Sequence, residues 1–403
     1  MAEPIKLDGR HVHFTAEEFG GRLARLRAAM AAEGLDGMLL FAPETQYWLT
    51  GYDTFGFCFF QCLVLPLEGA PVLLTRSADR LQALFTSWLE DVRVWKDGAG
   101  ADPTQDLKAI LAETGLLTAR LGVEFDTHGL TAANGRRLEA TLGAEARLED
   151  ASPLVPALRL TKSPAEIAMV RRAAAIGDEA YRAARAEIRP GADEAAILAA
   201  LQGAVFAAGG DFPANEVIIG SGPAAEGGDG RPTGALLCRY FTGRRALSAE
   251  DQITLEWAGV WRRYHAALMR TVPVGAARPE HVSMHAAAED ALLACEAALR
   301  PGRTMGEVFA AHEAAFERAG LGHARLNACG YALGARYTPS WMEPQMFHAG
   351  APTVIGPDMV FFLHMILMDA RSGAAMCLGR TSLVTESGAE PLSSLPLALD
   401  VAP

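Results

Sequence analysis

The sequence predicts a mixed α/β protein of two domains, on three observations. Its 403 residues are enough for two domains at roughly 100–200 residues each. Helix and strand patterns alternate through about residue 150. Beyond that point a unit of helix, helix and glycine-rich strand occurs twice, which points to a pseudo-symmetric domain with a central site.

In the first domain, Thr15 and Glu18 have the spacing of a capping box. Phe19, Leu23, Leu26 and Met30 follow at helical spacing, and Gly34 is a stop signal. Met38–Phe41 reads as a buried strand. Leu63–Leu65 and Val72–Leu74 read as two strands joined by a glycine-containing turn, and Leu121–Phe125 as another strand. Pro153 and Pro156 punctuate an expected linker. Ser163, Pro164 and Glu166 then combine a cap, a proline at the first helical position and a carboxylate at the third, so a long helix should run to about Ile188. The boundary is expected near residue 160, giving domains 1–160 and 161–403.

The repeat rests on Arg189-Pro190-Gly191 and Arg300-Pro301-Gly302, which lie 111 positions apart (300 − 189 = 111). Each precedes an alanine-rich helix, one ending at Ala208-Gly209 and the other at Ala319-Gly320. The strand-like segments Val217–Gly222 and Leu326–Gly334 come next.

Half the residues are apolar and about a fifth are charged, as in a globular protein. The net charge of −12 disfavours nucleic acid as a partner, because phosphate binding needs a basic face. The pairs Arg262-Arg263 and Arg244-Arg245 read as solvated surface. There is no apolar run of membrane-spanning length and no secretory signal in Met1–Arg10, so a cytoplasmic protein is expected. Six cysteines show no Cys-x-x-Cys pair, and no histidine cluster has zinc spacing. Free thiols in a reducing compartment follow.

Four segments of the second domain combine polar groups with strand-like flanks: Leu237–Tyr240, Ile253–Thr271, Gly330–Tyr337 and Met359–Thr385. Glu256 follows three strand formers, so it is expected to be buried. A buried carboxylate needs a partner or holds its proton more tightly, which suits a general base as well as a structural ion pair. His265 and His364 stand in apolar surroundings, as hydrogen-bonded core residues or as proton carriers. Arg239 and Arg336 could each clamp a carboxylate by two parallel hydrogen bonds or serve in salt bridges. Tyr264 falls in the second segment, and Tyr331 and Trp341 could line a pocket or simply pack.

These segments resemble the creatinase/aminopeptidase, or pita-bread, superfamily over most of the chain. The resemblance is carried by Leu49-Thr50-Gly51-Tyr52, the Lys162-Ser163-Pro164-Ala165-Glu166 helix start, Tyr264 with Arg270-Thr271, and Val384–Gly388. It implies a creatinase-like N-terminal α/β domain, a pita-bread domain with pseudo-two-fold symmetry, and a homodimer. In such a dimer Tyr52, Phe55, Phe57, Phe59 and Phe60 could cover a partner's site or serve core and dimer packing.

The family's metallopeptidases hold two metals with two Asp, one His and two Glu. The corresponding positions here are Glu256, Ala267, Tyr331, His364 and Gly379, and the family's proton-relay His falls on Arg239. The resemblance therefore implies the metal-free branch, which includes creatinase and ectoine hydrolase. Glu256-Trp257-Ala258-Gly259, Arg262–His265, Gly330-Tyr331 and Pro339-Ser340-Trp341 are similar to ectoine hydrolases, as is Tyr52-Asp53.

The expectation is hydrolysis of a C–N bond in a small polar nitrogen compound with no cofactor. Catalytic roles fall to Glu256, His265 and His364, and substrate-binding roles to Arg239, Tyr264, Tyr331, Arg336 and Trp341. The alternatives are a divalent-metal Xaa-Pro peptidase and an inactive binding homologue.

Overall fold

Thr15 starts helix α1 (Ala16–Ala32) in the computed structural model, which describes residues 5–223, 245–369 and 372–403. The Thr15 hydroxyl accepts the Glu18 N–H at 3.2 Å. The Glu18 carboxylate turns forward to Arg22 Nε at 3.1 Å, so the expected reciprocal box is half made. Phe19, Leu26 and Met30 are buried.

The chain divides into two compact units, Met1–Arg159 and Leu160–Pro403. In the first, α1 leads to β1 (Gly37–Leu40), α2 (Pro43–Thr50) and the hairpin of β2 (Cys62–Pro66) and β3 (Val72–Arg76). Then follow α3 (Arg80–Thr86), β4 (Val92–Trp95), α4 (Pro103–Glu113), β5 (Arg120–Val123), α5 (Ala132–Leu142), β6 (Arg147–Asp150) and α6 (Leu154–Arg159). The strands form one sheet in the order β4-β3-β2-β1-β5-β6.

Side chains alternate along β1. Leu39 joins the core with Leu107 and Leu138 of α4 and α5, while Met38 and Leu40 join Leu26 and Met30 of α1. Helices thus cover both faces of the sheet, as an α/β domain requires. The stretch expected as a linker is instead α6. Its Pro156 sits in the first turn, where a missing N–H is tolerated, and Val155 packs into the core. Of the aromatic run, Tyr52, Phe57 and Phe60 are buried and Phe55 and Phe59 are exposed.

The second unit begins with α7 (Pro164–Glu187), where the complete capping box of Ser163 and Glu166 forms. Next come α8 (Glu194–Ala207), β7 (Ile218–Pro223), β8 (Asp251–Trp261), β9 (Tyr264–Pro273) and α9 (Pro279–Ala298). They are followed by α10 (Met305–Arg318), β10 (Ala328–Ala332), β11 (Met346–His348), β12 (Val360–Asp369), β13 (Ala374–Thr385) and β14 (Gly388–Pro391). The antiparallel sheet runs β11-β10-β12-β13-β9-β8-β7, with β14 beside β13. Arg262 and Arg263 form the two-residue turn from β8 to β9, both with positive φ.

The repeat is present in the backbone. Helices α8 and α10 are each 14 residues long and start 111 positions apart (305 − 194 = 111). Gly191 and Gly302 both have positive φ, and they donate to Leu247 O at 2.8 Å and Ile355 O at 2.9 Å. Those acceptors lie 108 positions apart (355 − 247 = 108) and lead into β8 and β12. Helices α7 and α8 cover β7–β9, and α9 and α10 cover β10, β12 and β13.

Among the described residues no helix is long and apolar enough to cross a membrane. The described cysteines are free; Cys58 is exposed, and Cys62, Cys295, Cys329 and Cys377 are buried. Of the arginine pairs, Arg244 lies outside the described residues, Arg245 is partly exposed and bound to Asp251, and Arg262 lies over the Trp261 ring.

Helix α7 rests on β8 through two glycines. A Cβ on Gly259 would stand 1.9 Å from Ala173 O and 2.3 Å from Gly177 N, and neither backbone atom can move away cheaply. Gly203, exposed on α8, would meet nothing within 4 Å. Gly259→Ala should therefore destabilise the protein by about 3 kcal/mol. Gly203→Ala should stabilise it by roughly 0.5–1 kcal/mol through helix propensity. Urea unfolding of both variants checks the opposite signs.

Candidate active site

Strand β8 sends Ile253, Leu255 and Trp257 into the core under α7 and α8, which leaves Glu256 on the opposite face. Strand β12 does the same with Phe361, Leu363 and Met365, leaving Phe362, His364 and Ile366 on that opposite face. Glu256 and His364 are 108 positions apart (364 − 256 = 108), the offset of the acceptors that lead into their strands. They occupy the same place in the two halves. Strands β9 and β13 lie between theirs, so the sheet must curve for both side chains to line one cavity.

That cavity holds about 310 Å³ and is lined by Glu256, Tyr331, Trp341 and His364 together with Asn215 and Ser340. Ile218, Ile366, Met342 and Met346 are among its apolar walls. Glu256 is 8 % exposed and His364 7 %, so both are largely shielded from bulk solvent. Trp341 Nε1 donates to Tyr331 Oη at 2.7 Å, and Tyr331 Oη donates to Glu256 Oε1 at 3.4 Å. The rings of Tyr331, Phe362 and His364 pack together, with centroids 5.4–5.6 Å apart.

His265, Tyr264 and Arg336 are not among the residues that line the cavity. His265 is fully buried, and its Nε2 accepts the Ala214 N–H at 2.9 Å. Burial lowers its pKa to about 3, so it is a neutral acceptor that ties the 211–215 segment to β9. Its ring also lies 6.2 Å from that of Trp341. The Tyr264 hydroxyl donates to Glu166 Oε1 at 2.7 Å, which joins β9 to the capping box of α7. Arg336 Nη1 lies 3.5 Å from Glu343 Oε2, and Arg336 Nε donates to Ser340 O at 3.4 Å. It thereby braces the loop that carries Trp341. Arg239 lies outside the described residues.

Phe362, Asn215, Met342 and Met346 were not marked by the sequence. Phe362 shows only as one of a run of apolar strand residues, and the others are loop or edge-strand residues without a periodic pattern.

The donor set can be tested against a dinuclear metal centre. Glu256 and His364 remain as donors, but Ala267 and Gly379 offer no ligating side chain. Gly379 is paired across the strands with His364. A Cβ there would stand 2.8 Å from Leu363 O and 2.8 Å from the Phe362 ring, so the space for a carboxylate is filled. Among the described residues no three His, Cys, Asp or Glu side chains are grouped to hold a metal. These residues do not fit a carboxylate-bridged pair of cations.

Comparison with known proteins gives the following likenesses. The Metallopeptidase family M24 matches residues 168–386, and the Creatinase/Prolidase N-terminal domain matches residues 22–161. The ectoine hydrolase of Halomonas elongata is 31% identical over 410 residues, covering 96% of this chain and 98% of that protein. A probable dipeptidase PepE of Mycobacterium tuberculosis is 28% identical, covering 97% of this chain and 98% of its own. The crystal structure of dipeptidase PepE from Mycobacterium ulcerans superposes with a TM-score of 0.81 at 26% identity, covering 98% of this chain and all of that one.

Burial of neutral histidines sets an expected pH dependence of stability. His265 titrates near 3 in the folded protein, and His281 and His312 near 4, against about 6.5 in an unfolded chain. Below about pH 6.5 the unfolded chain binds these protons and the folded protein does not. The contribution of these histidines to stability is therefore full above that pH and falls as pH drops toward 4, by up to about 1.4 kcal/mol per pH unit for each, partly offset by buried Glu124, whose pKa is raised to about 7. His265→Gln keeps an acceptor for the Ala214 N–H and should flatten the slope. Urea unfolding at pH 4.5, 5.5 and 7 checks it.

Proposed function

The chain belongs to metallopeptidase family M24, and on that premise we propose that it hydrolyses a C–N bond in a small polar nitrogen compound without using a metal. An ectoine-like cyclic amidine, a creatine-like guanidino compound or a related amide fits the reading. The observation that carries it is the convergence of Glu256 and His364, from equivalent places in the two halves, on one cavity that Tyr331 also lines, while the two remaining ligand positions hold Ala267 and Gly379. The likeness to an ectoine hydrolase along nearly the whole chain supports the same substrate class.

In this reading a water molecule in the cavity attacks the amidine or amide carbon while the Glu256 carboxylate takes its proton. The C–N bond then breaks, and protonated His364 gives its proton to the departing nitrogen. The proton held by Glu256 restores His364 through solvent. Tyr331 and Trp341 shape the polar side of the pocket, and Met342, Met346, Ile218 and Ile366 exclude water from the rest. His265 is not assigned the shuttle, because its ring is neutral, buried and bound to a backbone N–H. The free thiols suit a reducing cytoplasm. A homodimer, which family resemblance implies, completes the reading.

The dipeptidase relatives favour a second reading, cleavage of dipeptides, which the family resemblance would make metal-dependent and directed at Xaa-Pro bonds. One assay separates the two: turnover of ectoine, creatine, other cyclic amidines and Xaa-Pro dipeptides by chelator-treated protein. Undiminished hydrolysis of a non-peptide compound is expected. Cleavage of dipeptides alone, and only after metal is restored, would overturn the proposal.

Glu256→Gln should lower kcat by about 10²–10⁴-fold, the usual contribution of a general base, with thermal unfolding unchanged. Retained turnover in that variant would remove Glu256 from the mechanism.

A further inference from the structure

We propose that Trp341 is a positioning residue whose indole N–H fixes the Tyr331 hydroxyl as a donor aimed at Glu256. The inference deepens the proposed function and rests on its placing Glu256 at the reaction centre.

The argument starts from what each group can do. An indole nitrogen donates and never accepts, whereas a phenol oxygen does both. Trp341 Nε1 lies 2.7 Å from Tyr331 Oη, so that oxygen must accept there. Accepting from Trp341 uses one lone pair and orients the hydroxyl, leaving its own proton for an acceptor on another side. Glu256 Oε1 lies 3.4 Å away in that role. The separation is long for a resting hydrogen bond, and catalytic contacts of this kind tighten when substrate binds. Donation into a phenol oxygen also polarises its O–H, which strengthens the bond it makes.

The surroundings hold Trp341 rather than Tyr331 alone. Trp341 is 1 % exposed. Arg336 braces its loop through Ser340 O and Glu343. Glu343 N donates to Ala332 O at 3.0 Å, which ties the far end of the loop back to β10, the strand of Tyr331. His265, kept neutral, presents its ring to the indole from β9. His265 and Arg336 thus both support Trp341, one beside its ring and one through its loop. Trp341 in turn acts on Glu256 only through Tyr331.

The test is spectroscopic and needs no substrate. The ring doublet of a tyrosine in its Raman spectrum reports whether the phenol donates, accepts or does both. The wild-type spectrum minus that of Tyr331→Phe isolates the doublet of Tyr331. A donor-and-acceptor signature is expected. In Trp341→Phe, which keeps an aromatic ring without the N–H, the signature should shift toward donor only. In Glu256→Gln it should shift away from strong donation. If Trp341→Phe does not fold, benzothienylalanine at position 341 keeps the volume of tryptophan and removes the N–H. A Tyr331 signature that Trp341→Phe or its analogue leaves unchanged, or one that shows no donation in the wild type, overturns the relay. Retained turnover in Glu256→Gln would instead overturn the catalytic reading and leave the relay standing as a structural contact.

Discussion

The second unit depends on the two-residue alternation of side chains along its long antiparallel strands. Leu255 and Trp257 must enter the core under α7 and α8, and Leu363 and Met365 the core under α9 and α10. A strand that buries those residues on one face has no choice about the residues between them. Glu256 and His364 are therefore aimed into the cavity by the hydrophobic core itself. A slip of one residue would bury both titratable groups among apolar side chains. Gly177 and Gly259 reinforce the register, because only there can the α7 backbone come close enough for Trp257 Nε1 to donate to Gly177 O at 2.9 Å.

The departures from a metal centre are consistent with one another. Several carboxylates facing one small cavity repel each other and are poorly solvated, and bound cations are what make such a cluster tenable. With Ala267 and Gly379 in place of carboxylates that repulsion is reduced, and at Gly379 the volume is taken up by the Phe362 ring and Leu363 O. The Phe362 ring lies over Gly379 and packs against Tyr331 and His364. Restoring one acidic residue at 379 would bring a carboxylate into contact with that ring and with Leu363 O. The misfit to a carboxylate-bridged pair of cations thus lies in packing as well as in ligands.

The fold was legible because its signals are local and periodic. The capping box of Ser163 and Glu166, the helical spacing after Thr15 and the doubled Arg-Pro-Gly turn each act over a few residues, and each appears where it was read. Pro156 misled because proline reads as a break, yet the first turn of a helix accepts it. In the site, Glu256, Tyr331, Trp341 and His364 could be marked because polar or aromatic groups stood among strand formers. Whether a marked residue faces the cavity depends on partners far along the chain. His265 is one residue from Tyr264, but Ala214 captures its ring nitrogen across 51 positions. Arg336 meets Glu343 within its own loop, and no periodicity announces that pair.

The two halves of the second unit repeat the same backbone but not the same chemistry. Glu256 and His364 hold equivalent places, one a carboxylate and one an imidazole. Two carboxylates there would share a preference for giving up their protons, and two imidazoles would share a charge. One of each divides the labour of a hydrolysis, since one group can take a proton from water while the other delivers one to nitrogen. The Tyr331 and Trp341 pair lies on the Glu256 side of this division, because its hydrogen bonds end on the carboxylate. The His364 side meets Tyr331 and Phe362 as ring neighbours instead. A symmetric scaffold therefore presents an asymmetric pair, and the asymmetry is what the proposed reaction requires.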